Sequence, residues 1–337
     1  MQRYYQPTGL SDMNKKVSLG LILSLAAIVA GCDQKSNQPS QAPVQQQSQS
    51  PAPTIPPAPA NITIKHANGE TTIAKDPQRI VTMDFGTLDT LDKFGLSDKI
   101  VGIPKNSVPD YLKQYEADGY TNVGNMKEPD LEVIRGLNPD LIVITGRQGK
   151  SFEQLSQIAP TITVGIDAKN YQQSFDNNVE TLASLFDKQD LSKQYLADLE
   201  TKISNYRTKA DASELKALVI MHNANKISAA NTGAYATIIH DVAGIKRADS
   251  DTEPKRQAAD DAYLTAINPD IIFIVDRSAA IGQEGFDKAL LETDAIKTVN
   301  AYKNDKIIYL TPDLWYLSGG GLESLSLQLD EAIQAID

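Results

Sequence analysis

A single cysteine, Cys32, stands in 337 residues. No intramolecular disulfide can form, and zinc sites built from several cysteines are excluded. Histidine is scarce too: His66, His222 and His240 are the only three, far apart and without ligand spacing. His240 falls in the apolar-periodic Ile238-Ile239-His240-Asp241-Val242 and reads as a helix residue packed or hydrogen-bonded locally. His222 comes directly after an expected strand at 217–221, from which it can reach a cleft. Positive charge is in deficit, with a net charge of −11. Residues 1–31 hold Arg3, Lys15 and Lys16 against Asp12, so residues 32–337 carry −13. A phosphate backbone selects for a basic face, which argues against a nucleic-acid partner. There is no G-x-G-x-x-G, no G-x-S-x-G and no catalytic histidine arrangement, so nothing in the chain calls for an enzyme. The Ser318-Gly319-Gly320-Gly321 run lacks the Lys-Ser/Thr of a Walker loop. It reads as a structural turn, the alternative being a phosphate held on free N–H groups.

What the chain does hold is a long-range repetition. Asn138-Pro139-Asp140-Leu141-Ile142-Val143-Ile144-Thr145-Gly146-Arg147 is echoed by Asn268-Pro269-Asp270-Ile271-Ile272-Phe273-Ile274-Val275-Asp276-Arg277, 130 positions later. Each copy is a polar turn, then an apolar and largely β-branched run suited to a strand buried on both faces, then a step to an arginine. A spacing that long, seen twice, suggests two similar α/β lobes rather than a solenoid. Each arginine then stands just past the C-terminal end of a parallel strand, where open sheets bind ligands. Two guanidiniums facing one cleft suit an anionic, oxygen-rich ligand.

Length favours about two domains, and 41% apolar with 22% charged residues describes an ordinary globular protein. Met13-Asn14-Lys15-Lys16 and the apolar run at 17–30 form a charged region and a core too short for a comfortable membrane span, right for a signal peptide. Val29-Ala30-Gly31-Cys32 is similar to a bacterial lipobox, and the sole cysteine sits where lipid would be attached. Residues 1–31 are thus an expected signal peptide, with Met13 as an alternative start. Residues 32–60 are the lipidated Cys32 and a Gln/Pro/Ser/Ala tether that cannot bury enough surface to fold. Asp33 resembles an inner-membrane retention signal, which places the protein on the periplasmic face of that membrane in a Gram-negative envelope.

Folded structure is expected from Ile62, with a hairpin about Asn68-Gly69 whose loop is longer than the minimal one. The N-terminal lobe spans 61–170, with strands at 79–83, 100–104, 141–145 and 161–164 and helices at 87–94, 131–137 and 152–159. Residues 171–209 contain neither proline nor glycine and carry apolar residues at helical spacing. The economical reading is one long connecting helix with a solvated charged face, the alternative being a break near Asp187–Asp190. The C-terminal lobe, 210–337, repeats the rhythm with strands at 218–221, 271–275 and 306–310 and helices at 235–242 and 322–336.

These strings, together with Leu88-Asp89-Thr90 after Asp84-Phe85-Gly86, Asn225 to Ala229 and Tyr309 through Tyr316 to Ser324, resemble the ferric-siderophore-binding lipoproteins of ABC importers. Within that class the chain looks most like the enterochelin-, petrobactin- and anguibactin-binding branch, over residues 61–337. The resemblance implies two Rossmann-like lobes with central parallel sheets joined by a long helix, the class III binding-protein fold. It implies a ferric catecholate or mixed-catecholate ligand of the acinetobactin kind, no cofactor, an ABC permease as partner, and a monomer. Haem or another anionic chelate is the alternative ligand. Arg147 and Arg277 match arginines that contact catecholate oxygens, and Tyr316 a tyrosine that completes iron coordination when the siderophore is tetradentate. Tyr235 stands where the family has a third arginine. Where relatives have an iron-coordinating histidine, this chain offers Lys255 or Arg256. The chelate is therefore expected to fill the iron shell itself. Trp315 and Phe85 complete the ligand-binding expectation. Glu132 resembles the permease-docking glutamate of the first lobe, with Asp261 nearest the equivalent place in the second.

Overall fold

The structure, a computed structural model, describes residues 60–224, 226–253 and 257–336. The expected signal peptide, Cys32, the tether to residue 59, Lys255 and Arg256 lie outside the described residues.

The order begins with a hairpin, β1 (Asn61–His66) and β2 (Gly69–Ala74). His66 pairs with Gly69, so only two residues intervene, and the loop is minimal where a longer one was expected. Gly69 takes the positive φ of +124° that lets the chain turn there. The first lobe continues with β3 (Ile80–Thr82), α1 (Phe85–Lys93), β4 (Ile100–Ile103), β5 (Thr121–Asn122), α2 (Leu131–Gly136), β6 (Leu141–Ile144), α3 (Phe152–Ser156) and β7 (Thr161–Thr163). Its sheet is wholly parallel, in the order β5-β4-β3-β6-β7.

Two helices come next, α4 (Tyr171–Leu185) and α5 (Gln189–Ala212). The single helix expected here is broken because Asp187 adopts a left-handed φ of +52° and its carboxylate pairs with Lys75 at 2.6 Å. Nor is the charged face of α5 merely solvated. Lys202 binds Asp330 at 2.7 Å, and Arg207 donates to the carbonyls of Val242 and Asp241 at 2.9 and 2.6 Å. The long helix is thereby fastened to the second lobe.

That lobe contains β8 (Lys216–Asn223), β9 (Lys226–Ala229), α6 (Ala234–Ala236), β10 (Lys246–Arg247), β11 (Gln257–Ala258), α7 (Asp261–Ile267), β12 (Ile271–Asp276), α8 (Arg277–Ala280), α9 (Asn300–Lys303), β13 (Ile307–Tyr309), α10 (Pro312–Tyr316) and α11 (Leu322–Gln334). The sheet runs β11-β9-β8-β12-β13, with β10 also against β8. Its centre is parallel, but β9 runs antiparallel to β8 and β11, so the sheet is mixed.

The repeated Asn-Pro-Asp has a backbone explanation. Asn138 and Asn268 both sit at φ +46°, a left-handed conformation asparagine tolerates, and proline then stops the helix from continuing. Asp140 accepts from the Arg79 N–H at 2.8 Å, and Asp270 from the Lys216 N–H at 3.0 Å. Each aspartate thus pins the start of the neighbouring parallel strand. The strands β6 and β12 are buried on both faces. Leu141, Val143, Ile271, Phe273 and Val275 join one core that also takes in α4, α5 and α11, whereas Ile142 and Ile144, and Ile272 and Ile274, enter separate clusters on the other face of each sheet. That alternation is the period-two signature of a strand sandwiched between helices.

Candidate functional site

At the C-terminal end of β6, the Thr145 side chain accepts from the Arg147 N–H and starts a 3₁₀ turn that turns Arg147 outward. Its Nη2 donates to the Tyr316 carbonyl at 3.0 Å, and its Cζ lies 5.8 Å from the centre of the Tyr316 ring. At the end of β12, Asp276 caps α8, whose first residue is Arg277. Arg277 Nε donates to the Tyr316 hydroxyl at 2.8 Å, Nη1 to Asn223 Oδ1 at 2.6 Å, and Cζ lies 5.5 Å from the same ring. One guanidinium from each lobe therefore meets a single phenol, within cation–π range of its face. Among the described residues the side-chain hydrogen bonds of both cations go to neutral oxygens, with no carboxylate paired directly to either.

Tyr235, two residues after Gly233 at φ +89°, belongs to the same group. Burial chiefly, and Tyr316 nearby, push its phenol up to about 12, while the charges of Arg147 and Arg277 pull the other way. Arg147 and Tyr235 both line a cavity of about 340 Å³ that reaches inward between the ends of β3, β6 and β7, the helices α4 and α6, and the segment joining α10 to α11. Asp84 lies in its wall. Burial raises the Asp84 carboxyl above its usual range, against hydrogen bonds from Thr87 and the charge of Arg147.

Of the remaining described candidates only Trp315 touches this cavity. Phe85 is fully buried in the core and does not line the cavity. Trp315 contributes to the cavity wall but has no exposed surface, and its indole N–H donates to Glu331 at 2.8 Å. Neither offers an open face to a ligand, because both side chains are fully buried. Glu132 is exposed on α2 and pairs with Arg135 at 2.5 Å, and Asp261 is partly exposed in the first turn of α7.

His222 does not reach the cleft. It is buried, with Nδ1 2.8 Å from Asp276 Oδ1 and its ring edge-on to Phe286. A carboxylate only accepts, so Nδ1 carries the proton. Burial alone would raise Asp276, but hydrogen bonds from His222 and the N–H groups of Ala279 and Phe286 outweigh it and hold the carboxyl below its usual range. This pair sits directly beneath the Asn223–Arg277 contact, since Asp276 faces His222 in register. Asp276→Ala strands all three donors and is expected to cost about 3 kcal/mol in a urea melt; a loss under about 0.5 kcal/mol refutes the role. His240, as expected, is satisfied locally by the Ile245 carbonyl at 2.8 Å, and burial lowers its pKa to about 4.

A profile of the periplasmic binding protein family matches residues 80–314, from β3 into α10. The chain is 38% identical over 330 residues to the petrobactin-binding protein YclQ of Bacillus subtilis, covering 96% of this chain and 100% of that one. It is 28% identical over 326 residues to the ferric-anguibactin-binding protein FatB of Vibrio anguillarum, covering 94% and 97%. The crystal structure of YclQ superposes with a TM-score of 0.79 at 41% identity, over 82% of this chain and 99% of that one. BauB, solved with two molecules of acinetobactin and ferric iron, superposes with a TM-score of 0.76 at 28% identity, over 82% and 99%. Curated relatives come mainly from the Gram-positive Bacillus subtilis, so the Gram-negative envelope expected from Asp33 has no support. The paired lobes, the arginine at each strand end and these similarities agree: the chain belongs to the periplasmic binding protein family.

Proposed function

We propose that this chain is a membrane-anchored solute-binding protein that captures a ferric siderophore of catecholate or mixed-catecholate type between its lobes and delivers it to an ABC permease. The observation that carries the reading is the convergence of Arg147 and Arg277 on Tyr316. A ferric catecholate is an anion rich in oxygen, and planar guanidinium forks suit it better than point charges do. YclQ, FatB and BauB are named for ligands of this kind. The chelate fills its own iron shell; Tyr316 joins the metal only when the siderophore is tetradentate, which requires Arg277 to release the phenol. Lipid on Cys32 holds the monomer on the outer face of the cytoplasmic membrane, a placement that suits either envelope and fits relatives named as substrate-binding lipoproteins. Glu132 and Asp261, one on each lobe, are proposed to meet the permease.

The protein has one tryptophan, Trp315, directly before Tyr316. Titration with a ferric bis-catecholate is expected to quench its fluorescence saturably at one complex per chain, with no turnover. Cobalamin should leave it unchanged and haem should bind more weakly. Tighter binding of haem or cobalamin overturns the reading.

A further inference from the structure

Among the described residues, three buried side-chain atoms have no hydrogen-bond partner: Tyr171 Oη, Ser318 Oγ and Gln328 Oε1. All three residues line the one cavity behind Arg147 and Tyr235. Tyr171 is 5% exposed and Gln328 1%. A buried polar group without a partner is costly, so three on residues lining one space mark a wall with unmet hydrogen-bonding capacity.

The chemistry of that lining is asymmetric. Gln328 Nε2 donates to the Leu314 carbonyl at 3.0 Å, which leaves the amide oxygen, an acceptor, as the unpartnered atom. Asp84, also in the lining, is a second acceptor, its Oδ2 already engaged by Thr87. The hydroxyls of Tyr171 and Ser318 can donate or accept. Beside these two acceptors an N–H or O–H is favoured over a carboxylate, while Arg147 in the same lining keeps its preference for anionic oxygen. At about 340 Å³ the space is at the small end of ligand pockets, enough for one arm of a chelate.

We propose that this cavity is a subsite for a neutral, hydrogen-bond-donating arm of the bound chelate, an amide or a hydroxyl, while the anionic metal end stays at the arginines. It rests on the chelate-binding reading above, and it selects among anionic complexes that two guanidiniums alone treat alike.

The test compares two probes on the full chain: the ferric complex of catechol, which has no arm, and that of an amide-linked bis(2,3-dihydroxybenzoyl)diamine. In the double variant Tyr171→Phe with Gln328→Met, the amide-linked complex should bind about tenfold more weakly or worse, while ferric catechol stays within about twofold. Gln328→Met also removes the Nε2 bond to Leu314, so the double variant is expected to melt somewhat lower, and Tyr171→Phe alone, read with both probes, keeps the comparison independent of that loss. Ser318→Ala alone should show the same discrimination at smaller size. Equal losses for both probes, or no loss for either, overturn the subsite while leaving the chelate-binding reading intact. Failure of the parent chain to bind either probe overturns both.

Discussion

Arg277→Leu is expected to weaken binding of a ferric catecholate by about two orders of magnitude, and Arg147→Leu by a similar amount. Removing one partner of a desolvated, hydrogen-bonded charge pair costs about 2–5 kcal/mol, and each 1.4 kcal/mol is tenfold in affinity. The two variants should differ in origin. Arg277 is already oriented by Tyr316 and Asn223, so its loss removes a preorganised contact. Arg147 bonds across to Tyr316 of the other lobe, so its loss also frees the lobes relative to one another. Arg→Lys at either site should recover only part of the affinity, because a lysine keeps the charge without the fork. The double variant should lose less than the product of the singles, since both arginines act on one ring. Isothermal titration decides it: losses below about threefold in both single variants would remove the arginines from the site.

Much of this arrangement is legible in the chain because it depends on local chemistry that recurs. An asparagine that accepts a left-handed backbone, a proline that ends a helix and an aspartate that ties down a neighbouring strand leave the same mark in both lobes, and a strand buried on both faces must be apolar throughout. Residues whose role depends on direction are less legible. Trp315 stands beside Tyr316 and Phe85 beside Asp84, yet successive helix residues point about 100° apart. If Tyr316 faces the cleft, Trp315 faces the core. The antiparallel β9 escapes a sequence reading because a four-residue strand after a short turn carries little periodicity of its own. The break at Asp187 is no more than an alternative in the sequence, because one left-handed residue does not disturb the apolar spacing around it. Nothing local marks Tyr171, Ser318, Asn223 or Asp84 as part of the site. Gln328 does leave a signal: a glutamine on the buried stripe of α11, between Leu325, Leu329 and Ala332.

Gly321→Ala is expected to destabilise the protein by about 3 kcal/mol or more, because its Cβ would fall 2.1 Å from Asp89 Oδ1 and 2.3 Å from its Cγ. Asp89 cannot step aside. It is buried on α1 and accepts from the N–H groups of Glu323 and Ser324 at 3.3 and 3.0 Å and from the Tyr111 hydroxyl at 3.1 Å. It thereby fastens the start of α11 to the first lobe beside the cavity wall. Around it, Lys93 is paired with Glu323 at 2.5 Å rather than with Asp89. In an Asp89→Ala background the cost of Gly321→Ala should shrink by about 1–3 kcal/mol, the coupling expected of residues in direct contact. The same carboxylate carries a pH dependence of definite sign. Burial, outweighing its hydrogen bonds, raises Asp89 from 3.8 to about 7. The folded chain therefore binds this proton more tightly than the unfolded chain does. The stability it contributes is fully present below the unfolded value and is lost as pH rises to about 7, by on the order of 4 kcal/mol in all. Urea melts of the parent and Asp89→Asn across that window should diverge accordingly, the parent losing ground to the variant as pH rises. Parallel profiles, or an undiminished cost of Gly321→Ala without the carboxylate, would show that Asp89 does not clamp the helix.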